Sequence, residues 1–392
     1  MSRQRKPVIA LVTDAIYPYH RGGKEIRYFE LARRLTNYAD VHIFTMHWWN
    51  GPRRKHEDLV TYHAISPLFA LYVKGRRSIS QAVLFSLTCI RMLTYRFDVL
   101  EADHMPYFQI FVLRIVALLK RRRFVVTWHE VWGQSYWREY LGPVGVIAWR
   151  IERLAMTMPH EIIAASAQTA EALREILGPK AAITVAPNGI DLDAVHSAHP
   201  DASTADIVTV GRLMSHKRVD MLLEAIAILQ AEGMAVTCRI IGDGPDRAAL
   251  HEKAQALDIA HAVEFQHDVY EQKEVYALLK AAKVAVFPSA REGFGIAVLE
   301  ALACGVPVVT TSTPANLAQH LVARSARGII CQPSASALAE AIRPWLADGG
   351  SRDVEGAEDW LSEYGWEAIT ARIAGVLLSE PGGLSESETV ST

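Results

Sequence analysis

Cysteine is scarce in this chain: four in 392 residues, at Cys89, Cys238, Cys304 and Cys331, with no Cys-x-x-Cys spacing. Such scatter excludes a disulfide framework, and the apolar neighbours of each predict buried free thiols in a reducing compartment. Long apolar runs are missing too. Arg91 and Arg114 break the stretches 82–93 and 108–119, so nothing reaches the about 20 residues that cross a bilayer. The start MSRQRKPVIALVTDAIYPYH is basic, but its apolar run is too short for a secretion signal. These absences predict a cytoplasmic protein, any membrane contact being peripheral at the inner face. No G-x-G-x-x-G follows the first apolar strand, which excludes the standard dinucleotide fingerprint. No His/Cys/Asp cluster has metal-ligand spacing. Asp191-Leu192-Asp193 has D-x-D form but stands in a linker, next to the turn signal Asn188-Gly189. Neither metal, nor cofactor, nor nucleic-acid partner is expected.

Net charge is nearly absent as well, at −2, but its distribution is lopsided. Residues 1–165 carry 24 Lys and Arg against 13 Asp and Glu, leaving 17 against 30 in the remainder. Clusters at Arg53-Arg54-Lys55, at Lys74, Arg76 and Arg77, and from Lys120 to Arg123 hold much of that excess, beside apolar stretches such as SPLFALYV and SQAVLFSLTCI. The mix suits either an anionic lipid surface or a solvated basic face around a soluble acceptor site.

What is abundant is alternation of short apolar strands with helical patterns. PVIALVTDA, ADVHIFTM, FDVLEAD, FVVTWHE and EIIAAS form one series; ADIVTVGRL, VTCRIIGDG, AVEFQH, VAVFPS, VPVVTT and GIICQ form a second. Strand–helix alternation implies parallel sheets covered on both faces. The expected architecture is α/β, two doubly wound Rossmann-like domains facing a cleft: 1–190, 191–362, a C-terminal helix over 363–379 and a disordered tail over 380–392.

The segment SAREGFGIAVLEALACGVPVV holds two acids eight positions apart. Ile296, Leu299, Leu302 and Ala303 recur at helical spacing, so a helix starts near Gly295, with Glu292 on the loop before it and Glu300 in its second turn. Eight helical residues span about 12 Å, too far for the pair to share one glycosidic bond. The spacing suits two ends of an elongated ligand, with amides of Phe294, Gly295 and Ile296 between them facing an anion. A capped surface helix with incidental acids fits the same letters. Arg212 follows a strand end, and Lys217 and Arg218 begin a helix, where cations suit a diphosphate or are simply solvated. Gly242 and Gly244 mark a strand-to-helix loop that a tight turn also explains. Gly22 and Gly23 precede a helix and allow backbone to approach a phosphate, as an ordinary loop also does. His129 and Glu130 end a strand; a neutral His129 there reaches a sugar hydroxyl, while Trp128 and Trp132 suit either sugar faces or a core.

Together, GGKEIRYFELARRL, TWHE, APNGIDL, VGRLMSHKRVDMLLEAI, IIGDGP and PSAREGFGIAVLEALACGVPVVTT resemble, in order and over nearly the whole chain to about residue 378, the retaining glycosyltransferases of family 4. The resemblance implies the GT-B fold and transfer of a hexose from a nucleoside-diphosphate sugar, UDP- ahead of GDP-, to a glycan, lipid-linked or small-molecule hydroxyl, without metal. It implies that Arg212 and Lys217 hold the diphosphate with Gly22, Gly23, Gly244 and amides near Phe294. Glu292 and His129 would contact the transferred sugar, and Glu300 the ribose. One segment departs: where family members often read Gly-Gly-x-Pro-Glu, this chain has TSTPANLAQHL, with Asn316 and Leu317 near the usual acid. A nucleotide-sugar epimerase of the same fold and a non-catalytic nucleotide-sugar-binding regulator are the rival readings.

Overall fold

The computed structural model describes residues 5–73, 76–269, 271–347 and 359–379. The expected disordered tail and Lys74 lie outside the described residues. The chain divides into two compact units, one up to Asn188 plus the segment from Glu367, the other Gly189–Trp366.

In the first unit, strands β1 (Val8–Val12), β2 (Asp40–Met46), β3 (Arg54–Glu57) and β4 (Val60–Ser66) are followed by a two-stranded ribbon of β5 (Tyr72–Val73) and β6 (Arg76–Arg77). Then come β7 (Val99–Asp103), β8 (Arg123–Trp128), β9 (Glu161–Ala164) and β10 (Ile183–Val185). The main sheet runs β10-β9-β8-β7-β1-β2-β4-β3, parallel except for the β3–β4 pair. All five residues of β1 are buried, as a central strand covered on both faces requires. Each of its Val, Ile and Leu side chains contributes about 2 kcal/mol when fully removed from water.

Helix α1 (Gly23–Leu35) joins β1 to β2 and turns Tyr28, Leu31, Ala32 and Leu35 inward, the face expected from their spacing. α2 (Ile79–Thr88), α3 (Tyr107–Lys120), α4 (Gly133–Leu141), α5 (Gly145–Met156) and α6 (Ala167–Leu177) lie on connections running the other way along the sheet. Right-handed crossovers therefore put α1 on one face and the layer containing α2, α3 and α5 on the other. Among the described residues no helix is long and apolar enough to cross a membrane.

The second unit opens with α7 (Leu192–Ser197), capped by Asp191, whose Oδ1 accepts the Ala194 amide at 2.9 Å. The first acid of the D-x-D thus serves as a helix cap. Strands β11 (Ala205–Val210), β12 (Cys238–Ile241), β13 (Val263–Gln266), β14 (Ala282–Phe287), β15 (Val308–Thr311) and β16 (Gly328–Cys331) form one parallel sheet ordered β13-β12-β11-β14-β15-β16. Helices α8 (Val219–Ala231), α9 (Arg247–Ala256), α10 (Gln272–Lys280), α11 (Ile296–Ala303), α12 (Gln319–Arg324) and α13 (Ala335–Ala347) connect or cover it. All six strands expected in this half are present. Helix α14 (Trp366–Leu378) follows, and from Glu367 it belongs to the first unit, where Arg34 Nε meets Glu367 Oε1 at 2.8 Å and Arg123 donates to the Val376 carbonyl at 2.7 Å.

Two expectations need correction. Cys89 and Cys238 are buried free thiols, but Cys304 and Cys331 are only half-buried, one just past α11 and the other ending the edge strand β16. The basic clusters are not wholly superficial either. Arg77 turns inward to Asp14 at 2.8 Å, and Arg123 is held by Glu161 and by the carbonyls of Val376 in the last helix and Ser379 just past it.

Candidate functional site

In a doubly wound sheet the place for a ligand is outside the carboxyl ends of the strands, where the strand order reverses. In the second unit that point lies between β11 and β14. A small pocket opens there, lined among others by Thr209, Gly211, Arg212, Lys217, Pro288 and Ser289. Arg212 follows β11 directly. Lys217 ends a single 3₁₀ turn, after which Arg218, in the left-handed conformation (φ 52°), starts α8. Ala290 N donates to the His216 carbonyl at 2.8 Å, tying the lysine's turn to the loop after β14. Lys217 Nζ lies 2.5 Å from Glu292 Oε1, which also accepts the Ser289 hydroxyl at 3.0 Å. Arg218 instead pairs with Asp220 at 3.2 Å and is not among the lining residues.

Glu292 is fixed through its backbone, with its amide on the Ala315 carbonyl (3.0 Å) and its carbonyl accepting from Leu317 N (2.9 Å). The departure at Asn316 has a role in that arrangement. Its buried Nδ2 donates to Thr310 Oγ1 at 3.0 Å and to the Thr311 carbonyl at 2.8 Å, two donations that an ionised acid cannot make.

Gly295 carries φ 90° at the start of α11, and a Cβ there would come 2.4 Å from the Ala318 Cβ. No side chain caps this helix start, which is flanked by buried Phe294 and half-buried Ile296. Gly244 is required by close approach, since a Cβ would lie 2.2 Å from the Leu213 carbonyl oxygen. Glu300 is buried and accepts Gln272 Nε2 at 2.7 Å; burial pushes its carboxyl up to about 8, with hydrogen bonding to Tyr276 opposing. Its side chain is thus engaged at the α10–α11 contact.

In the first unit the strand order reverses between β1 and β7. Lys24, in the first turn of α1, reaches Asp14 Oδ1 at 2.9 Å and Asp103 Oδ2 at 2.7 Å, while Arg77 holds the other oxygen of Asp14. Burial disfavours the ammonium, but the two carboxylates outweigh it and keep Lys24 charged. Burial likewise works against the Asp103 charge, and Lys24 with His104 overcomes it, holding that carboxyl well below the usual range. His129 Nε2 stands 3.6 Å from Asp103 Oδ1, and His104 Nδ1 stands 3.2 Å from it. Burial lowers His129 to about 3 despite the attraction of Asp103, so its imidazole is neutral at pH 7. Nε2 of His129 and of His104 are buried without a hydrogen bond to the described residues. A neutral imidazole so placed can bond a hydroxyl.

Gly22 caps α1, and a Cβ on it would meet Glu25 Oε2 at 2.4 Å; Gly23 is the first helical residue. The Glu25 carboxylate therefore folds back over this helix start. Trp128 is wholly buried in the core, whereas Trp132 is half-buried beside Trp137, ring centroids 4.6 Å apart.

Asp14, Lys24, Asp103 and His104 did not stand out as candidates. The signal was an acid at the carboxyl end of each switch-point strand, in LVTDA and LEADH. Asp103, His104 and His129 place ligand-type atoms within 4.8 Å of one another, a grouping linear spacing does not reveal. Lys24 at 2.7 Å already supplies the counter-charge of Asp103, which makes the trio a poor fit for a metal ion.

The family model described as Glycosyl transferases group 1 matches residues 197–359, and that described as Glycosyltransferase Family 4 matches residues 21–194. Glycogen synthase of Mycobacterium tuberculosis is 31% identical over 229 residues, covering 57% of this chain and 55% of that protein. The GDP-mannose-dependent alpha-(1-6)-phosphatidylinositol dimannoside mannosyltransferase of the same species is 34% identical over 176 residues, covering 43% and 44%. The chain thus spans about half the length of these two relatives. Sucrose-phosphate synthase from Thermosynechococcus elongatus superimposes with a TM-score of 0.76 at 19% identity, over 95% of this chain and 98% of that one, a likeness in GT-B fold alone.

Proposed function

This chain belongs to the group 1, family 4 glycosyltransferases, and we propose that it is a retaining hexosyltransferase using a nucleoside-diphosphate sugar without a metal ion. The observation that carries this reading is the switch-point pocket lined by Arg212 and Lys217, the lysine being paired with Glu292. Arg212 and Lys217 stabilise the departing diphosphate, where most new charge develops, aided by Gly244 and the uncapped start of α11 at Phe294, Gly295 and Ile296. Glu292 orients the sugar and Glu300 takes the ribose. In the first unit, neutral His129 bonds a sugar hydroxyl, and Gly22 and Gly23 let backbone approach the donor phosphate. The leaving phosphate itself helps remove the acceptor proton, so no second carboxylate base is needed opposite Glu292.

In this reading the donor is a UDP-hexose ahead of a GDP-hexose, and the acceptor is a hydroxyl on a glycan, a lipid or a small molecule. Contact with an anionic membrane belongs to the same reading, on the strength of the charge asymmetry between the halves.

A panel of UDP- and GDP-hexoses incubated with the protein, scored by mass spectrometry for released nucleoside diphosphate, tests the proposal. Hydrolysis of one donor class is expected. An epimerised donor would favour the epimerase, and donor binding with no turnover across acceptors would favour the regulator.

A further inference from the structure

Large apolar side chains exposed to solvent are distributed very unevenly. Among the described residues one of them, Ile330, is in the second unit; the others are in the first, and more than half of those lie on one helical layer. On α2, Ile79, Val83 and Leu87 recur every four residues and are 63%, 37% and 59% exposed. On α3, Ile115, Leu118 and Leu119 form a second exposed stripe, opposite the buried Ile110, Leu113 and Val116. On α5, Ile147 and Leu154 form a third, beside exposed Arg150 and Arg153. α3 packs against both α2 and α5, and all three share one side of the sheet, so the stripes share one outer surface.

Along these three helices the exposed charges have one sign. α2 and α3 contain no acid, and the sole acid of α5, Glu152, is buried, accepting from Tyr107, Trp132, Gly133 and Trp137. Arg91, Arg114, Lys120, Arg150 and Arg153 supply the cations. An extended apolar face is unusual for a soluble monomer. A water-soluble partner protein would have to bury these cations, whereas a bilayer accepts apolar side chains while its headgroups meet the arginines.

We propose that the outer face of α2, α3 and α5 docks on an anionic lipid bilayer. The inference refines the membrane contact proposed above by naming its face, and it does not depend on the sugar chemistry.

Co-sedimentation with phosphatidylglycerol–phosphatidylcholine vesicles against pure phosphatidylcholine vesicles, over a salt series, tests it. Wild type should bind the acidic vesicles alone, and less as salt rises. Arg150→Gln with Arg153→Gln should weaken binding roughly 25-fold, about fivefold per charge. Leu118→Ser with Leu119→Ser should weaken it roughly tenfold per side chain. Unchanged thermal unfolding checks that these exposed positions leave the fold intact. Arg53→Gln with Arg54→Gln, at the start of the edge strand β3, is the comparison. If that pair abolishes binding while the helix variants bind normally, membrane contact stands and the proposed face is wrong. No binding at low salt, or a dimer in vesicle-free solution that Leu118→Ser with Leu119→Ser dissolves, overturns the lipid assignment. Donor hydrolysis measured on the same preparations reports on the transferase reading separately.

Discussion

Lys217 Nζ lies 2.5 Å from Glu292 Oε1, so a cation lining the switch-point pocket directly engages the acid on the loop before α11. A diphosphate entering beside Arg212 competes with Glu292 for the same ammonium. Arg212→Ala and Lys217→Ala should each lower turnover by about 10²–10³, the usual cost of one preorganised stabiliser. Because Lys217 and Glu292 touch, Lys217→Ala combined with Glu292→Gln should lose less than the product of the single losses. A kcat/KM double-mutant cycle measures this; independent losses would mean the pair does not act as a unit, and wild-type turnover in both alanine variants would end the diphosphate assignment.

Glu292→Gln should cost far more turnover than Glu300→Gln, which should mainly raise the donor KM. A contact near the reacting carbon can strengthen in the transition state, whereas a ribose contact binds ground and transition states alike. Steady-state kinetics on both variants decides, and the opposite ranking would place sugar and ribose at the wrong ends of the segment.

Glu300 also makes a prediction about stability. Burial raises its folded value to about 8 from an ordinary 4.5, so the folded state holds this proton more tightly than the unfolded chain does. Its contribution is full below about pH 4.5 and declines as pH rises toward about 8. The stability of Glu300→Gln relative to wild type should therefore improve steadily from pH 5 to pH 8. Urea unfolding of both proteins at several pH values checks it; a flat difference would mean the carboxyl titrates normally.

Activity should survive chelation. Arg212, Lys217 and the start of α11 supply the positive potential for a diphosphate, and Lys24 occupies the charge environment of Asp103. Complete loss in a chelator, restored by magnesium or manganese, would contradict this.

The local grammar of the fold was readable because most of the parallel strands are short apolar runs, the central ones buried on both faces. The helix carrying Glu300 was equally plain, since its apolar residues recur at helical spacing before Gly305 and Pro307. Strand β4 escaped notice because its polar letters hide its burial: His63 stacks on Phe44 with ring centroids 4.6 Å apart, and Thr61 is buried too. Strand β10 has only three residues. At the sites, positions were legible but partners were not. Lys217 and Glu292 are 75 residues apart, and Asp14 and Asp103 become neighbours only because β1 pairs with β7. The inward turn of Arg77 and Arg123 follows from the same cause, since letters show a charge but not which acid or carbonyl the sheet brings to it.

Lys24 is where that tertiary pairing has the largest expected consequence. Its ammonium lies between Asp14 and Asp103, whose side chains are fully buried, and removing one partner of a buried ion pair typically costs about 3–5 kcal/mol. Arg77 and Gln81 still hold Asp14 in Lys24→Met, so the unpaired charge is chiefly that of Asp103. In wild type this carboxyl is depressed, and its stabilisation is present above the ordinary Asp value near 3.8 and lost only as pH falls below it. Without Lys24, burial dominates and raises the carboxyl, which then takes up a proton at higher pH and escapes the penalty. Lys24→Met should therefore be about 3 kcal/mol less stable at pH 7, and the gap should narrow as pH falls toward 4. Urea unfolding at pH 7, 5.5 and 4.5 measures the trend. A gap that is constant or widens with acid would show that Lys24 contributes by packing its stem and not by holding the charge of Asp103.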